Sequence, residues 1–186
     1  FFFLMIRRPP RSTLILTLFP YTTLFHLVAS HARLALKAQG VVFDATEVMY
    51  HVDYCGVPLK AAIDGVAGDY LWDIKTTDDA SAAGMLKSIR NYRYNLQAYW
   101  YRLVYELATG RRPLGFRFLF VEKEPPFTTA VCEIGPDLMS WAVADFEKAV
   151  TLYKACTESG VWPAYPEEIQ VIDVKSTTTA APINFA

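Results

Sequence analysis

Three residues of the sequence could carry out hydrolytic chemistry together. Asp64 lies in the segment KAAIDG, and Asp73 and Lys75 lie two residues apart in WDIKTT. Residues i and i+2 of a strand share a face, so Asp73 and Lys75 are expected to point to the same side. A tight turn between the two segments would bring Asp64 beside Asp73. Two close carboxylates repel each other unless a divalent cation binds both, so the pair is a candidate Mg²⁺ site that could also accept Mn²⁺.

The lysine adds a second chemical capability to this pair. A lysine beside a metal can orient or activate the attacking water, or offset the charge that grows on a scissile phosphate. Asp64, Asp73 and Lys75 are therefore sufficient for phosphodiester hydrolysis. The alternative is a plain hairpin with an aspartate in its turn and a lysine at a sheet edge, although a charged pair inside so apolar a strand is costly. The backbone carbonyl of Ile74 is a further candidate ligand, which would need a local twist of the strand.

A second motif follows on a predicted helix. Gln97 and Tyr101 are four residues apart in LQAYWY and therefore lie on one helix face. Both side chains can donate hydrogen bonds to a phosphate or to a carboxylate that binds a metal. The alternative is an amphipathic helix whose tyrosine is half-buried in the core.

The elements that must position these residues can be predicted from periodicity and from turn residues. The order is one helix, three strands, two helices, two strands and one helix, which predicts an α/β domain with a mixed central sheet flanked by helices. The helices are predicted at 29–39, 80–90, 92–109 and 138–159. The strands are predicted at 41–54, 59–66, 70–76, 115–123 and 127–134.

Composition excludes several classes of protein. The 186 residues are 53% hydrophobic and 20% charged, which suits one domain with a core and excludes a disordered, collagen-like or coiled-coil chain. A net charge of -1 provides no overall positive field for nucleic acid. The three cysteines form no CxxC pair, which argues against a disulfide framework, a zinc ribbon or an iron–sulfur cluster. This cysteine usage fits a reducing compartment, and we expect a cytoplasmic protein.

Residues 1–25 differ from the rest of the chain. They contain three arginines and no acidic residue, and their apolar run is interrupted by Pro20. A signal peptide is one interpretation, and a transmembrane helix is a second, although the run is short for a span. The third interpretation is an artefact, because MIRRPPRST and LFPYTTLF look like translated sequencing-adapter sequence. We favour the artefact and expect this segment to be extended or loosely placed, with a nuclease domain at 26–170 and a tail at 171–186.

The order of the motifs resembles a known superfamily. IDG, then WDIKTT, then a helix with Q-x-x-x-Y is similar to the PD-(D/E)xK nucleases, in particular to the RecE-type exonuclease branch. The segments FRFLFVEKEPPF and VWPAYP also fit this branch, and the resemblance covers about residues 41–168. It implies a restriction-endonuclease-like core and a metal-dependent exonuclease that acts on double-stranded DNA ends in recombination, of phage origin.

The resemblance also implies roles for individual residues. Asp64 and Asp73 match the metal-binding acids, Lys75 matches the motif lysine, and Gln97 and Tyr101 match the helix motif of the active site. A frequent acidic position of the branch falls on Glu47, a possible further metal ligand. Such nucleases usually carry an upstream helix with a metal-proximal His or Glu, which residues 1–25 do not supply. The implied partners are DNA, further copies of the chain in a ring and a single-strand annealing protein, with no membrane.

Local positive charge would be needed to hold DNA. We assign DNA binding to Lys87, Arg90, Arg93 and Tyr94, on the helices that follow the motif. Arg102, Arg111 and Arg112 extend the basic set, which a solvated helix face would explain equally well. The competing functions are a restriction-type endonuclease, a non-catalytic DNA-binding module and an inactive fragment of the same fold.

Overall fold

The strands form one five-stranded mixed sheet in the order β1-β2-β3-β4-β5. The structure is a computed structural model, and it describes residues 19–166 and 168–171. The strands are β1 (Ala45–Tyr54), β2 (Val57–Ala67), β3 (Tyr70–Thr77), β4 (Gly115–Glu122) and β5 (Thr129–Glu133). The helices are α1 (Phe19–Ala38), α2 (Ala82–Tyr92), α3 (Tyr94–Thr109) and α4 (Pro136–Ser159). The predicted α/β fold with a mixed sheet is confirmed.

The connections of the sheet explain why two helices follow β3. Strands β1, β2 and β3 pair antiparallel through short turns, and β4 pairs antiparallel with β5. In contrast, β3 and β4 are parallel over their whole length, from Tyr70↔Gly115 to Thr77↔Glu122. Parallel neighbours need a long crossover, and α2 and α3 provide it. The crossover lays α3 against one face of the sheet.

The sheet has an apolar layer on each face. On one face β2, β3 and β4 pack against α3 and α4, and this larger core includes the buried residues Ile63, Leu71, Phe116, Phe118, Phe120, Ala98, Val104 and Phe146. On the other face Trp72, Leu119 and Val121 pack against Ala32 and Leu36 of α1. Alternate residues of β3 and β4 therefore serve different layers, as strand geometry requires.

Capping residues set the ends of two helices, and the cap of α2 is Ser81 where we expected Asp78 or Asp79. The Ser81 side chain accepts a hydrogen bond from the N–H of Gly84 and caps α2. The α3 helix ends at Gly110, whose φ of 70° is a conformation that favours glycine. None of the helices in the described part of the chain has the length and apolarity that a membrane span requires.

Several predicted boundaries need correction, and β1 begins at Ala45 rather than at residue 41. The first helix begins at Phe19 rather than at residue 29, so the backbone of residues 19–25 is helical where we expected an extended segment. Residues 1–18 and 172–186 lie outside the described residues, so the expectations for most of the leader and of the tail are not tested. The last strand is five residues long rather than eight, since Phe127 has a φ of 57° and belongs to a turn.

Candidate active site

The centre of the site is the point where β2 and β3 separate. Their pairing stops after Gly65↔Trp72. Asp64 and Asp73 are the next residue of each strand beyond that last pair. Past this point β3 keeps only its parallel neighbour β4, and Asp73 pairs with Phe118. The two carboxylates predicted to act together therefore meet at a fork in the sheet.

The side chain of Asp64 bridges this fork. The N–H of Ile74 donates a hydrogen bond to Oδ2 of Asp64 at 3.0 Å, in place of a backbone partner on β2. The N–H and C=O of one residue leave an extended strand on the same side. We therefore expect the Ile74 carbonyl to face the fork as well. The local twist of the strand that we predicted for this carbonyl is then not needed.

Asp73 is held from two directions. It is 4% exposed, and its Oδ1 accepts a hydrogen bond from Nε2 of Gln97 at 2.7 Å. Nζ of Lys75 lies 2.6 Å from Oδ2 of Asp73, so residues i and i+2 of β3 do share a face. Lys75 is thus a partner of Oδ2, which is buried. That oxygen retains the capacity to bind a cation.

The electrostatics of Asp73 are those of a carboxylate that gains from added positive charge. Burial raises the pKa of Asp73, and the nearby charge of Asp64 raises it further, while Lys75 and Gln97 act to lower it. The effect of burial is the largest of these, so the pKa of Asp73 is raised. Paired carboxylate oxygens are the hard ligands that Mg²⁺ and Mn²⁺ prefer. Asp64 and Asp73 therefore fit a divalent metal ion.

Glu47 lies in line with these acids without joining them. The ladder between β1 and β2 pairs Thr46 with Gly65 and Val48 with Ile63, and it omits Glu47 and the facing Asp64. Glu47 has a φ of 54°, so the backbone departs from a regular strand there. Among the described residues, no group of three or more His, Cys, Asp or Glu side chains could hold a metal ion. The structure thus brings together Asp64 and Asp73, and the role of Glu47 as a further metal ligand stays a prediction.

The side chain of Lys75 packs against the stacked rings of Tyr94 and Phe118. Its Nζ lies 4.6 Å from the centre of the Tyr94 ring, and the Tyr94 ring stacks on Phe118 with centroids 5.6 Å apart. Burial and the neighbouring Asp73 raise the pKa of Tyr94, so its hydroxyl stays protonated. The ion pair and the ring together position the ammonium group beside the two carboxylates.

Tyr101 lies one turn beyond Gln97, inside the core. It is 3% exposed, and its ring meets Phe116 edge to face with centroids 6.1 Å apart. Gln97 therefore reaches the site through its side chain, while the Tyr101 ring packs the layer between α3 and β4. This location matches the alternative of a core tyrosine, and the structure does not test a catalytic role.

The basic residues divide into two groups. Lys87 and Arg90 are exposed on α2, and Arg93 at the α2–α3 junction pairs with Asp145 of α4. The remaining arginines lie toward the far end of α3, where Arg111 pairs with Asp69 just before β3 begins. The basic residues of α2 are thus separate from those near the end of α3, and their contact with DNA stays a prediction.

Sequence reasoning did not single out two exposed aromatic residues beside α2. Tyr92 is 67% exposed and stacks on Tyr94, and Trp141 of α4 is 52% exposed beneath the guanidinium of Arg90. The string NYRYN contains the signal in part, because two tyrosines flank a basic residue. Their exposure depends on how α2 and α4 pack.

Comparison with known proteins finds a matching family model and solved structures of similar fold. Residues 33–175 match the model of a family described as "PDDEXK-like domain of unknown function (DUF3799)". A candidate exonuclease from Eubacterium rectale is similar in structure with a TM-score of 0.66 and 12% identity. The match covers 84% of this chain and 66% of that one, so the chain spans just under two thirds of that protein.

The second solved structure is an alkaline exonuclease from Laribacter hongkongensis. It is 18% identical, with a TM-score of 0.37 and coverage of 72% of each chain. No curated protein sequence matches the chain at a significant level.

Proposed function

The chain belongs to the PDDEXK-like DUF3799 family, and from that premise we propose that it is a metal-dependent nuclease that hydrolyses phosphodiester bonds of DNA. The resemblance to the PD-(D/E)xK superfamily, inferred from the order of its motifs, is thereby confirmed. The RecE-type branch within that superfamily stays a prediction.

One observation carries the proposal. Asp73 is buried at the fork between β2 and β3, with Gln97 on one oxygen and Lys75 on the other. Burying a charged pair costs free energy that a structural role alone would rarely justify. Perturbed carboxylates with a specific charged partner are typical of functional sites.

The residues have separate tasks in this proposal. Asp64, Asp73 and the Ile74 carbonyl would hold the metal ion, which when bound would polarise the phosphate and lower the pKa of a bound water. Gln97 keeps the Asp73 carboxylate in one orientation through the bond to Oδ1. Lys75 supplies a positive charge fixed beside the carboxylates, where it can orient the attacking water or balance charge on the phosphate.

We propose double-stranded DNA ends as the site of attack, in a recombination-type exonuclease. The exposed Lys87 and Arg90 of α2 support binding of the DNA backbone near the helix that follows β3. The ring-shaped homo-oligomer and the single-strand annealing partner rest on the RecE-type resemblance alone.

The test compares metal binding and cleavage in matched variants. Asp73→Asn should lower Mn²⁺ affinity in calorimetry, because one of the paired carboxylates loses its charge. The exposed Asp137 on α4 offers the control Asp137→Asn, which should bind as wild type. Equal Mn²⁺ affinity in wild type and Asp73→Asn would refute the metal assignment.

Cleavage is measured on end-labelled linear duplex and on closed circular DNA. Lys75→Ala should retain metal and DNA binding and lose cleavage by several orders of magnitude, since it removes a transition-state interaction. Degradation of linear DNA alone indicates an exonuclease, whereas cuts in circular DNA indicate a restriction-type endonuclease. DNA binding without cleavage by wild type would instead identify a non-catalytic module.

A further inference from the structure

We infer that the exposed ring of Tyr92 stacks on an unpaired base of the DNA strand that enters the site. The inference rests on the proposed function and specifies the form of the substrate. A strand would be bound through a single-stranded or frayed end, with a base on Tyr92 and its backbone running toward Lys75 and Asp73.

A ladder of aromatic rings connects the surface with the site. Tyr92 stacks on Tyr94 with centroids 5.5 Å apart and planes 29° apart, and Tyr94 stacks on Phe118 with nearly the same geometry. Lys75 lies over the Tyr94 ring, and Phe118 pairs with Asp73 across β3 and β4. The exposed end of this ladder is therefore one ring away from the catalytic lysine.

The junction of α2 and α3 fixes the orientation of Tyr92. Arg93 has a φ of 56° and a ψ of 39°, its N–H donates to the carbonyl of Ile89, and its guanidinium pairs with Asp145. This left-handed residue separates Tyr92 from Tyr94 and turns the chain so that their rings meet. Tyr92 is thus placed by the backbone, and a ligand would not have to order it.

The exposure of Tyr92 indicates a base rather than a packing role. The ring is 67% exposed although its inner face stacks on Tyr94, so the outer face is open to solvent. Any base can stack on such a ring, whatever its sequence. A base inside a duplex has both faces covered by its neighbours, so only an unpaired or terminal base can occupy this position.

The last turns of α2 also carry charge and lie near a second aromatic ring, on a different helix face from Tyr92. Arg90 lies two residues before it, and the Arg90 guanidinium is 5.6 Å from the centre of the half-exposed Trp141 ring. Lys87 is exposed one turn earlier on α2. Stacking rings together with cations that hold the backbone are the components by which proteins bind single-stranded nucleic acid without reading its sequence.

The experiment measures binding of a fluorescein-labelled oligothymidylate and of a fluorescein-labelled, covalently closed circular duplex by anisotropy, in EDTA so that no cleavage occurs. The variants are Tyr92→Ala, Tyr92→Phe and Tyr165→Ala, the last at a tyrosine that is 90% exposed beyond α4. Tyr92→Ala should weaken oligothymidylate binding about 5- to 10-fold, at the lower end of base–aromatic stacking energies. Tyr92→Phe, which keeps the ring, and Tyr165→Ala should remain within about twofold of wild type on the same scale.

The outcomes separate this inference from the proposed function. If Tyr92→Ala binds oligothymidylate as wild type does, or if it weakens binding of the closed circular duplex equally, the stacking role is wrong, whether or not the enzyme cleaves DNA. If the Tyr92 ring is needed for oligothymidylate binding but wild type cleaves no DNA, the nuclease proposal fails and the binding site stands. If wild type binds no DNA at all, both are wrong.

Discussion

Replacing Lys75 by methionine tests whether the carboxylate pair depends on added positive charge. The variant keeps most of the side-chain volume beside Tyr94 and removes the ammonium group 2.6 Å from Asp73. Asp73 would then be buried beside Asp64 with only Gln97 as a partner. Removing one member of a buried ion pair costs about 3–5 kcal/mol of unfolding free energy.

The structure selects the lower end of this range. The Lys75 side chain is 19% exposed, so water reaches the ammonium and weakens the pair. A loss of about 3 kcal/mol corresponds to a drop of about 6–12 °C in melting temperature for a chain of this length. The measurement is calorimetry or circular dichroism in EDTA, with Lys148→Met at an exposed position of α4 as the matched control.

Metal should reverse the effect, since a bound cation supplies the charge that the lysine gave. Saturating Mn²⁺ is therefore expected to raise the melting temperature of Lys75→Met by more than that of wild type. The double variant Asp73→Asn, Lys75→Met should melt close to wild type in EDTA, because it leaves no unpaired buried charge. A Lys75→Met variant that melts within about 2 °C of wild type refutes the reasoning, because so small a shift corresponds to a loss of less than about 1 kcal/mol.

Three further predictions follow from particular contacts. Gln97→Ala removes the donor to Oδ1 of Asp73 and should lower Mn²⁺ affinity about 10- to 100-fold in calorimetry; unchanged affinity would show that Gln97 does not orient the ligand. Gly65→Val places a side chain against the ring of Phe43 and should lower the free energy of unfolding in urea by about 1–3 kcal/mol. Phe43→Ala should restore part of that loss, whereas an unchanged stability of Gly65→Val would mean that the ring moves aside freely. Burial raises the pKa of Cys132 to about 11, so about one thousandth of its thiol is thiolate at pH 8. Alkylation followed by mass spectrometry should therefore find the exposed Cys55 labelled first, with Cys132 reacting only as the pH nears 11. Fast labelling of Cys132 at pH 8 would contradict this.

Local geometry made much of the fold and part of the site predictable. Side chains alternate along any strand, so the sequence alone determined that Asp73 and Lys75 share a face. Gly110 and Gly160 end their helices because the left-handed conformation favours glycine, and these boundaries were confirmed. The mixed sheet followed from the order of strands and helices. Each of these inferences uses contacts between residues close in the chain.

Tertiary structure decided which residues meet across long separations. The α2–α3 crossover lays α3 over the sheet, and only this placement brings Gln97 to Asp73, 24 residues earlier. It also buries Tyr101 against Phe116, and the catalytic role that the sequence suggests for Tyr101 stays a prediction. Side chains on one helix face can have different neighbours, because the helix runs across the sheet: Gln97 contacts β3, and Tyr101 contacts β4 one turn later.

The same reason applies to the fork and to the surface around it. The separation of β2 from β3 after Gly65 and Trp72 leaves Asp64 to accept the N–H of Ile74, which no local pattern predicts. The exposure of Tyr92 depends on a left-handed Arg93 anchored to α4. The sequence by itself determined the chemistry available on each strand, whereas long-range packing decided which of those groups share one site.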